Sequence, residues 1–215
     1  MAAVPMAARR PKLAGLYALT PELADTVELA ARTELALSGG ASAIQYRTKA
    51  ASAGLKLEQA AALRALCSAR GAIFIVNDDV ELAHAVRADG VHLGRDDASL
   101  AAARARLGPA AIVGVSCYDE LERAESAIAA GGDYIAFGSF YPSRVKPNAV
   151  RAPLSLIAEA KARWPQAGIV AIGGITAANA PPLIAAGADA VAVISALYEA
   201  PDIALAAREL AACFD

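Results

Sequence analysis

Histidine and cysteine are scarce in this chain, and their scarcity removes several kinds of chemistry. There are two histidines, His84 and His92, and three cysteines, Cys67, Cys117 and Cys213, with no CxxC pair among them. An odd number of widely spaced cysteines is no disulfide framework and reads as reduced thiols, which sets the expectation of a cytoplasmic protein. So few nitrogen and sulfur donors also argue against a zinc centre. An excess of positive charge is missing too. The 20 basic residues are outnumbered by 22 acidic ones, and no basic run offers an electrostatic footprint for nucleic acid. The stretch 167–188 carries no charge and could span a bilayer by length. Gly173-Gly174, Asn179 and Pro181-Pro182 break it at intervals that suit strand, loop and helix, so it reads as a buried core and not as a membrane segment. Residues 1–13 are basic but lack the apolar centre of a secretion signal; a flexible extension is expected there, followed by one catalytic domain over 14–215.

What the chain does have is a repeating unit. Short Val/Ile-rich runs at 15–19, 43–47, 72–77, 90–93, 112–116, 134–138, 169–173 and 190–194 alternate with Ala/Leu-rich helical stretches near 22–38, 56–69, 80–88, 98–106, 120–130, 153–163, 177–186 and 203–213. Continuous apolar runs, in place of alternating ones, mark strands buried on both faces, as parallel sheets require. A junction recurs between helix and strand: Ser38-Gly39-Gly40, Asp89-Gly90, Gly131-Gly132-Asp133 and Gly187-Ala188-Asp189. Glycine there supplies the left-handed turn that ends a helix. Eight β-then-α units within 215 residues predict a single (β/α)8 TIM barrel. An open doubly wound sheet is the runner-up, and it rarely needs eight strands at this length.

In such barrels the active site lies at the C-terminal ends of the strands. Two aspartates nineteen positions apart, Asp78 and Asp97, each follow an apolar run and are brought to the same end of a parallel sheet by the intervening short helix. Two carboxylates with room for phosphate are a common arrangement for Mg²⁺. Asp79, just before Val80-Glu81-Leu82, suits a helix cap, and Asp96 or Asp97 could cap the helix that begins near Ser99. The second strand ends in Gln45-Tyr46-Arg47-Thr48-Lys49, where alternation puts Gln45, Arg47 and Lys49 on one side. An amide and two cations at a barrel mouth suit a diphosphate; ordinary ion pairing of Arg47 is the plainer reading. His92 within Val-His-Leu reads as a satisfied core histidine before it reads as a base. Ser116 has no GxSxG setting, so a hydroxyl donor to phosphate is more credible than a nucleophile. Cys117 reads as packing. The polar loop 139–148 reads as a lid or substrate-binding segment. Gly173-Gly174 and Ile194-Ser195 occupy the place where barrels bind phosphate, after strands seven and eight.

Taken in order, the motifs Gln45-Tyr46-Arg47-Thr48-Lys49, Val76-Asn77-Asp78-Asp79, His92-Leu93-Gly94-Arg95-Asp96-Asp97, Gly114-Val115-Ser116, Tyr141-Pro142-Ser143 with Lys146, and Ile172-Gly173-Gly174-Ile175 resemble the thiamine-phosphate synthase family over about 15–210. The resemblance implies a transferase. A pyrimidine methyl diphosphate loses diphosphate, and a thiazole phosphate nitrogen attacks the methylene carbon. Carried over residue by residue, it implies that Gln45, Arg47, Lys49, Asn77, Ser116 and Lys146 hold the pyrimidine diphosphate, with Tyr46 and Thr48 in the same binding segment. It implies Mg²⁺ on Asp78 and Asp97, and the thiazole phosphate on Ser143, the Gly174 backbone, Ile194 and Ser195. Arg47, Lys49, Ser116 and Lys146 form the implied catalytic set. The implied partners are small molecules, with neither nucleic acid nor membrane, and the resemblance leaves room for a homo-oligomer. No general base is needed for attack by a neutral nitrogen, which agrees with the shortage of histidine.

Three positions depart from the resemblance. Arg95 stands where the family usually has Gln, Val145 where Thr or Ser is common, and Tyr118 where His often sits. Weaker or rearranged thiazole-phosphate contacts are expected from them, with the reaction unchanged. Rival readings are a thiazole tautomerase-like paralogue, a sugar-phosphate isomerase or epimerase barrel, and a non-catalytic phosphate-binding barrel. The retained Asp78 and Asp97 and the charged strand ends argue against the first and last of these.

Overall fold

The computed structural model describes residues 12–95, 97–142 and 150–215. Asp96, Ser143 and Lys146, with most of the 1–13 extension and the tip of the 139–148 loop, lie outside the described residues. Eight strands are described: β1 (Gly15–Leu19), β2 (Ala41–Tyr46), β3 (Ile73–Asn77), β4 (Gly90–Leu93), β5 (Ile112–Tyr118), β6 (Tyr134–Phe137), β7 (Gly168–Ile172) and β8 (Ala190–Val193). They pair in sequence order, all parallel, and β8 closes on β1. The helices are α1 (Thr26–Ser38), α2 (Ala53–Arg70), α3 (Val80–Ala85), α4 (Leu100–Leu107), α5 (Leu121–Ala129), α6 (Ser155–Arg163), α7 (Pro181–Ala185), α8 (Ser195–Tyr198) and α9 (Ile203–Ala211). The expected (β/α)8 barrel is the observed one, with the short α8 added directly after β8.

Helix starts are fixed by short polar side chains that accept otherwise orphaned N–H groups: Asp25 for α1, Ser52 for α2, Asp79 for α3, Ser99 for α4 and Asp202 for α9. Asp79 thus takes the capping role expected of it. The cap of α4 is Ser99, which leaves Asp97 for other work.

Strand alternation separates two cores. Leu16, Ile44, Tyr46, Phe74, Val76, Val113, Ile135 and Val191 pack outward against the helices. Tyr17, Ala43, Ile75, Ile112, Tyr134, Val170, Ala190 and Ala192 fill the barrel interior. The interior mixes large and very small residues, and the small ones admit the two tyrosines. Gly114 is the sharpest case, since a Cβ there would stand 1.9 Å from Cζ of Tyr134.

The N-terminal end of the barrel is clasped by a repeated device. Asp89, Asp133 and Asp189 immediately precede β4, β6 and β8. Each accepts a backbone N–H from the preceding odd strand: Phe74 at 2.8 Å, Val113 at 2.8 Å and Ile169 at 2.9 Å. Each also pairs with a helix cation, Arg64 at 3.3 Å, Arg104 at 2.8 Å and Lys161 at 2.9 Å. Burial works against ionisation of Asp189, but Lys12, Lys161 and the Ile169 N–H outweigh it and hold the carboxyl below its usual range.

Candidate active site

At the opposite, C-terminal end, the β2 segment divides its residues between three environments. Gln45 is buried and donates from Nε2 to the Tyr17 hydroxyl at 2.7 Å. Tyr46 points the other way and donates to Oε1 of Gln59 on α2 at 2.8 Å. Alternation along β2 sends its ring into the sheet–helix layer. Arg47 reaches the cavity. Beyond it, Glu22 gathers the loop, accepting the Thr48 hydroxyl and the N–H groups of Lys49 and Ala50. Thr48 is thus committed to the loop, while Lys49 is exposed at the rim. Partial burial opposes ionisation of Glu22, yet those donors and Arg47 pull its carboxyl below the usual range. Nothing in the local pattern singled out Glu22, because its partners lie 26 to 28 residues ahead.

The ends of β3 and β4 carry the carboxylate pair. Asp78 adopts a left-handed backbone, φ 63°, which is uncommon for a non-glycine residue and marks a constrained turn. Its N–H donates to the His92 carbonyl at 2.8 Å, and the next N–H, of Asp79, donates to the Asn77 carbonyl at 2.7 Å. This turn brings the Asp78 carboxyl close to that of Asp97, near enough for the two charges to repel. Gly94 adjoins both acids: a Cβ there would lie 2.7 Å from Oδ2 of Asp97 and 3.9 Å from Oδ1 of Asp78. The Gly94 N–H in turn donates to Asp97. Burial, then the hydrogen bond to and repulsion from Asp97, push the Asp78 carboxyl up to about 6, with Arg47 and Asn77 only partly opposing them. Two acids pressed together at an open mouth fit a divalent cation, whose charge would relieve the repulsion. Among the described residues no group of three or more His, Cys, Asp or Glu converges. Two carboxylates with the remaining positions left to phosphate and water suit Mg²⁺.

On β5, Ser116 lines the cavity and lies 2.8 Å from Nε2 of His92. The His92 Nδ1 lies 2.9 Å from the Tyr134 hydroxyl, so the histidine is buried with both ring nitrogens engaged, as a core histidine should be. Arg123 of α5 ties this corner together, donating to the Ser116 carbonyl at 2.6 Å and the Gly94 carbonyl at 2.9 Å. Cys117 is buried, and burial pushes its thiol up to about 12, which leaves it inert packing. Arg95 pairs with Glu120 and lies 5.0 Å over the Tyr118 ring.

After β7 and β8 the backbone itself forms the wall. Gly173 and Gly174 both have positive φ, 108° and 63°, and a Cβ on Gly174 would stand 2.2 Å from the Pro142 carbonyl oxygen. Asn179 clamps this turn, donating to the Gly174 carbonyl at 3.1 Å and accepting the Thr176 N–H at 2.8 Å. Ile194 and Ser195 line the same cavity, and α8 begins at Ser195. The cavity measures about 840 Å³, within the range of small-molecule sites. Arg47 and Ser116 border it from β2 and β5, and Gly174, Ile194 and Ser195 border it from β7 and β8.

A (β/α)8 barrel whose mouth sets a cation and a carboxylate pair across from a glycine-lined turn is a phosphate-handling enzyme of the barrel class. Comparison with known proteins narrows this. A family model described as thiamine monophosphate synthase matches residues 16–197, and the chain belongs to that family. Thiamine-phosphate synthase of Chromobacterium violaceum is 57% identical over 204 residues, spanning 95% of this chain and 98% of that protein. The protein of the same name from Thiobacillus denitrificans is 57% identical over 196 residues, covering 91% of this chain and 92% of its own length. Among solved structures, a thiamine phosphate pyrophosphorylase from Pyrococcus furiosus superposes with a TM-score of 0.81 at 35% identity, covering 93% of this chain and 95% of that one. No helix among the described residues is long and apolar enough to cross a membrane.

Proposed function

We propose that this chain joins 4-amino-2-methyl-5-pyrimidinylmethyl diphosphate to 4-methyl-5-hydroxyethylthiazole phosphate, giving thiamine phosphate and diphosphate. The observation that carries the reading is the Asp78–Asp97 pair, held close together beside Gly94 at the C-terminal end of the barrel, where Arg47 and Ser116 border a cavity of about 840 Å³. Arg47 and Lys49 receive the diphosphate, with Asn77 and Ser116 as neutral donors and Lys146 added by the resemblance. Asp78 and Asp97 hold Mg²⁺, which when bound neutralises charge on the departing diphosphate. The thiazole phosphate sits against the Gly174 backbone, Ile194 and Ser195, with Ser143 added by the resemblance.

Catalysis on this reading is electrostatic and positional. The C–O bond to diphosphate breaks with its electron pair leaving on oxygen, and cations on Arg47 and Lys49 stabilise that charge. The aminopyrimidine donates electrons to the methylene carbon left behind. The thiazole nitrogen, aligned by its phosphate anchor, supplies the lone pair for the new C–N bond. No proton moves, so neither His92 nor any other base is asked to act.

The test is turnover of the two substrates, read as fluorescent thiochrome after oxidation, with Mg²⁺ and with excess chelator. Product that disappears with chelator and returns with Mg²⁺ is expected. A folded protein that forms no product in Mg²⁺ overturns the assignment and favours the tautomerase-like or binding-protein readings.

A further inference from the structure

Five polar side chains cross the barrel interior in one unbroken line, and only the last of them, Ser116, has a part in the chemistry above. Gln45 Nε2 lies 2.7 Å from the Tyr17 hydroxyl, Tyr17 3.0 Å from the Tyr134 hydroxyl, Tyr134 2.9 Å from His92 Nδ1, and His92 Nε2 2.8 Å from Ser116 Oγ. Their sequence separations of 28, 117, 42 and 24 residues show that only barrel closure brings them together. Tyr17 and Tyr134 meet edge to face at 6.1 Å, and His92 stacks on Tyr134 at 5.5 Å. We propose that Tyr17, Tyr134 and His92 are positioning residues that form a one-way hydrogen-bond relay from Gln45, keep His92 in its Nε2–H form, and so turn the Ser116 hydroxyl into a donor aimed at an acceptor atom in the cavity.

The sense of the relay follows from donor counting, which assigns the proton positions. The Gln45 amide nitrogen can only donate, so the Tyr17 oxygen accepts there. Tyr17 has one proton and is fully buried, and the neighbour placed to accept it among the described residues is Tyr134. Were Tyr134 to donate to Tyr17 instead, the Tyr17 proton would be left in an apolar interior without an acceptor. Tyr134, now accepting, sends its own proton to His92 Nδ1. An imidazole that accepts on Nδ1 carries its proton on Nε2 when neutral, and that proton goes to Ser116 Oγ. Ser116 thereby has a lone pair occupied and a proton to spend, and it lines the cavity. Turning the Gln45 amide over would reverse every link, place the histidine proton on Nδ1 and consume the Ser116 proton internally. The relay therefore makes the hydroxyl's polarity a property of the barrel core and not of the loop. The inference rests on the proposed function only for what the acceptor is, an atom of the pyrimidine diphosphate.

The experiment is ¹⁵N NMR of the histidine rings in the full chain, which has only His84 and His92 to assign, together with kinetics of conservative variants. The Nε2–H form at His92 is expected, and the Nδ1–H form overturns the proposal. Tyr134→Phe should let His92 populate both tautomers and lower kcat by about tenfold, with KM for the thiazole phosphate unchanged, the scale seen when an outer partner of a site residue is lost. Tyr17→Phe, one link further away, should cost less. The double variant Ser116→Ala/Tyr134→Phe should be no slower than Ser116→Ala alone, because the relay acts through that hydroxyl. Multiplying losses overturn it. Should the phenylalanine variants fail to fold, the wild-type tautomer still decides. Should the wild type make no thiamine phosphate, the tautomer is read all the same, so the relay and the reaction fail separately.

Discussion

The two ends of this barrel use the same residue for opposite purposes. At the N-terminal end, Asp89, Asp133 and Asp189 each meet a strand N–H and a helix cation. At the C-terminal end, Asp78 meets another carboxylate, Asp97, on a backbone turned to φ 63°. One carboxyl of the first set, Asp189, is held below its ordinary range, and Asp78 is held above it. The difference lies in what the fold supplies around each acid. An acid with its partners built in stabilises the fold; an acid facing its like is costly until something else arrives.

Removing one acid from each end separates the two roles most strongly. Asp78→Ala should lower turnover by at least ~10²-fold in Mg²⁺, the scale for losing one electrostatic stabiliser, while the folded state persists. Near-native turnover, measured by thiochrome release, would show that the contact with Asp97 is not a metal site. Asp133→Ala should do the reverse. It strips an acceptor from the Val113 N–H and a partner from Arg104, so denaturant unfolding should show a loss of about 1–3 kcal/mol with kcat per folded molecule unchanged. Equal activity losses at the two ends would erase the contrast.

pH sharpens the same comparison, because the two shifts have opposite signs. The Asp189 carboxyl is lowered on folding, so it contributes stability above its unfolded value that is lost as pH falls through the folded one. The Asp78 carboxyl is raised to about 6, so the folded state holds its proton more tightly. Without metal, stability from that group is present below the unfolded value and is lost as pH rises through about 6. Melting curves with chelator between acid and neutral pH should therefore show Asp189→Asn flattening the acid limb. Asp78→Asn should raise Tm above wild type at neutral pH, modestly, since Asp78 is open to the mouth and solvent screens part of the repulsion. A lower Tm for Asp78→Asn there would mean that Arg47 and Asn77 outweigh burial and the repulsion from Asp97.

These contrasts explain which parts of the molecule were legible in the chain. The eight β-then-α units, the barrel and the strand-end position of Asp78, Asp97, Arg47 and Ser116 follow from period and spacing, because each is a local property. Period also places Gln45 and Arg47 on one side of β2 and sends the Tyr46 ring to the other, into the sheet–helix layer. The Asp clasp was half visible: the helix-to-strand junctions stood out for their glycines, while an acid before every second strand with a cation in an earlier helix went unread. The relay was not visible at all. Tyr17 and Tyr134 are ordinary strand residues until the closed sheet places them 3.0 Å apart across 117 positions. Contacts across a barrel have no local signature.

Arg95 offers the smallest effect and a finer test of whether a charge at the mouth is free or satisfied. The resemblance puts a glutamine there, and an unpaired guanidinium would grip the thiazole phosphate. The structure pairs it with Glu120 and lays it over Tyr118, so its charge is already answered, as the acids of the N-terminal end are. An exposed pair of this kind is worth little on its own. Arg95→Gln should therefore change KM for the thiazole phosphate by no more than about twofold at ordinary salt, where screening is strong. Glu120→Gln is the sharper variant. It uncovers the guanidinium, and it should tighten thiazole-phosphate binding at low salt and lose that gain as salt rises. A tenfold rise in KM for Arg95→Gln would instead show that Arg95 leaves Glu120 when substrate is bound, which would move it from the satisfied charges to the working ones.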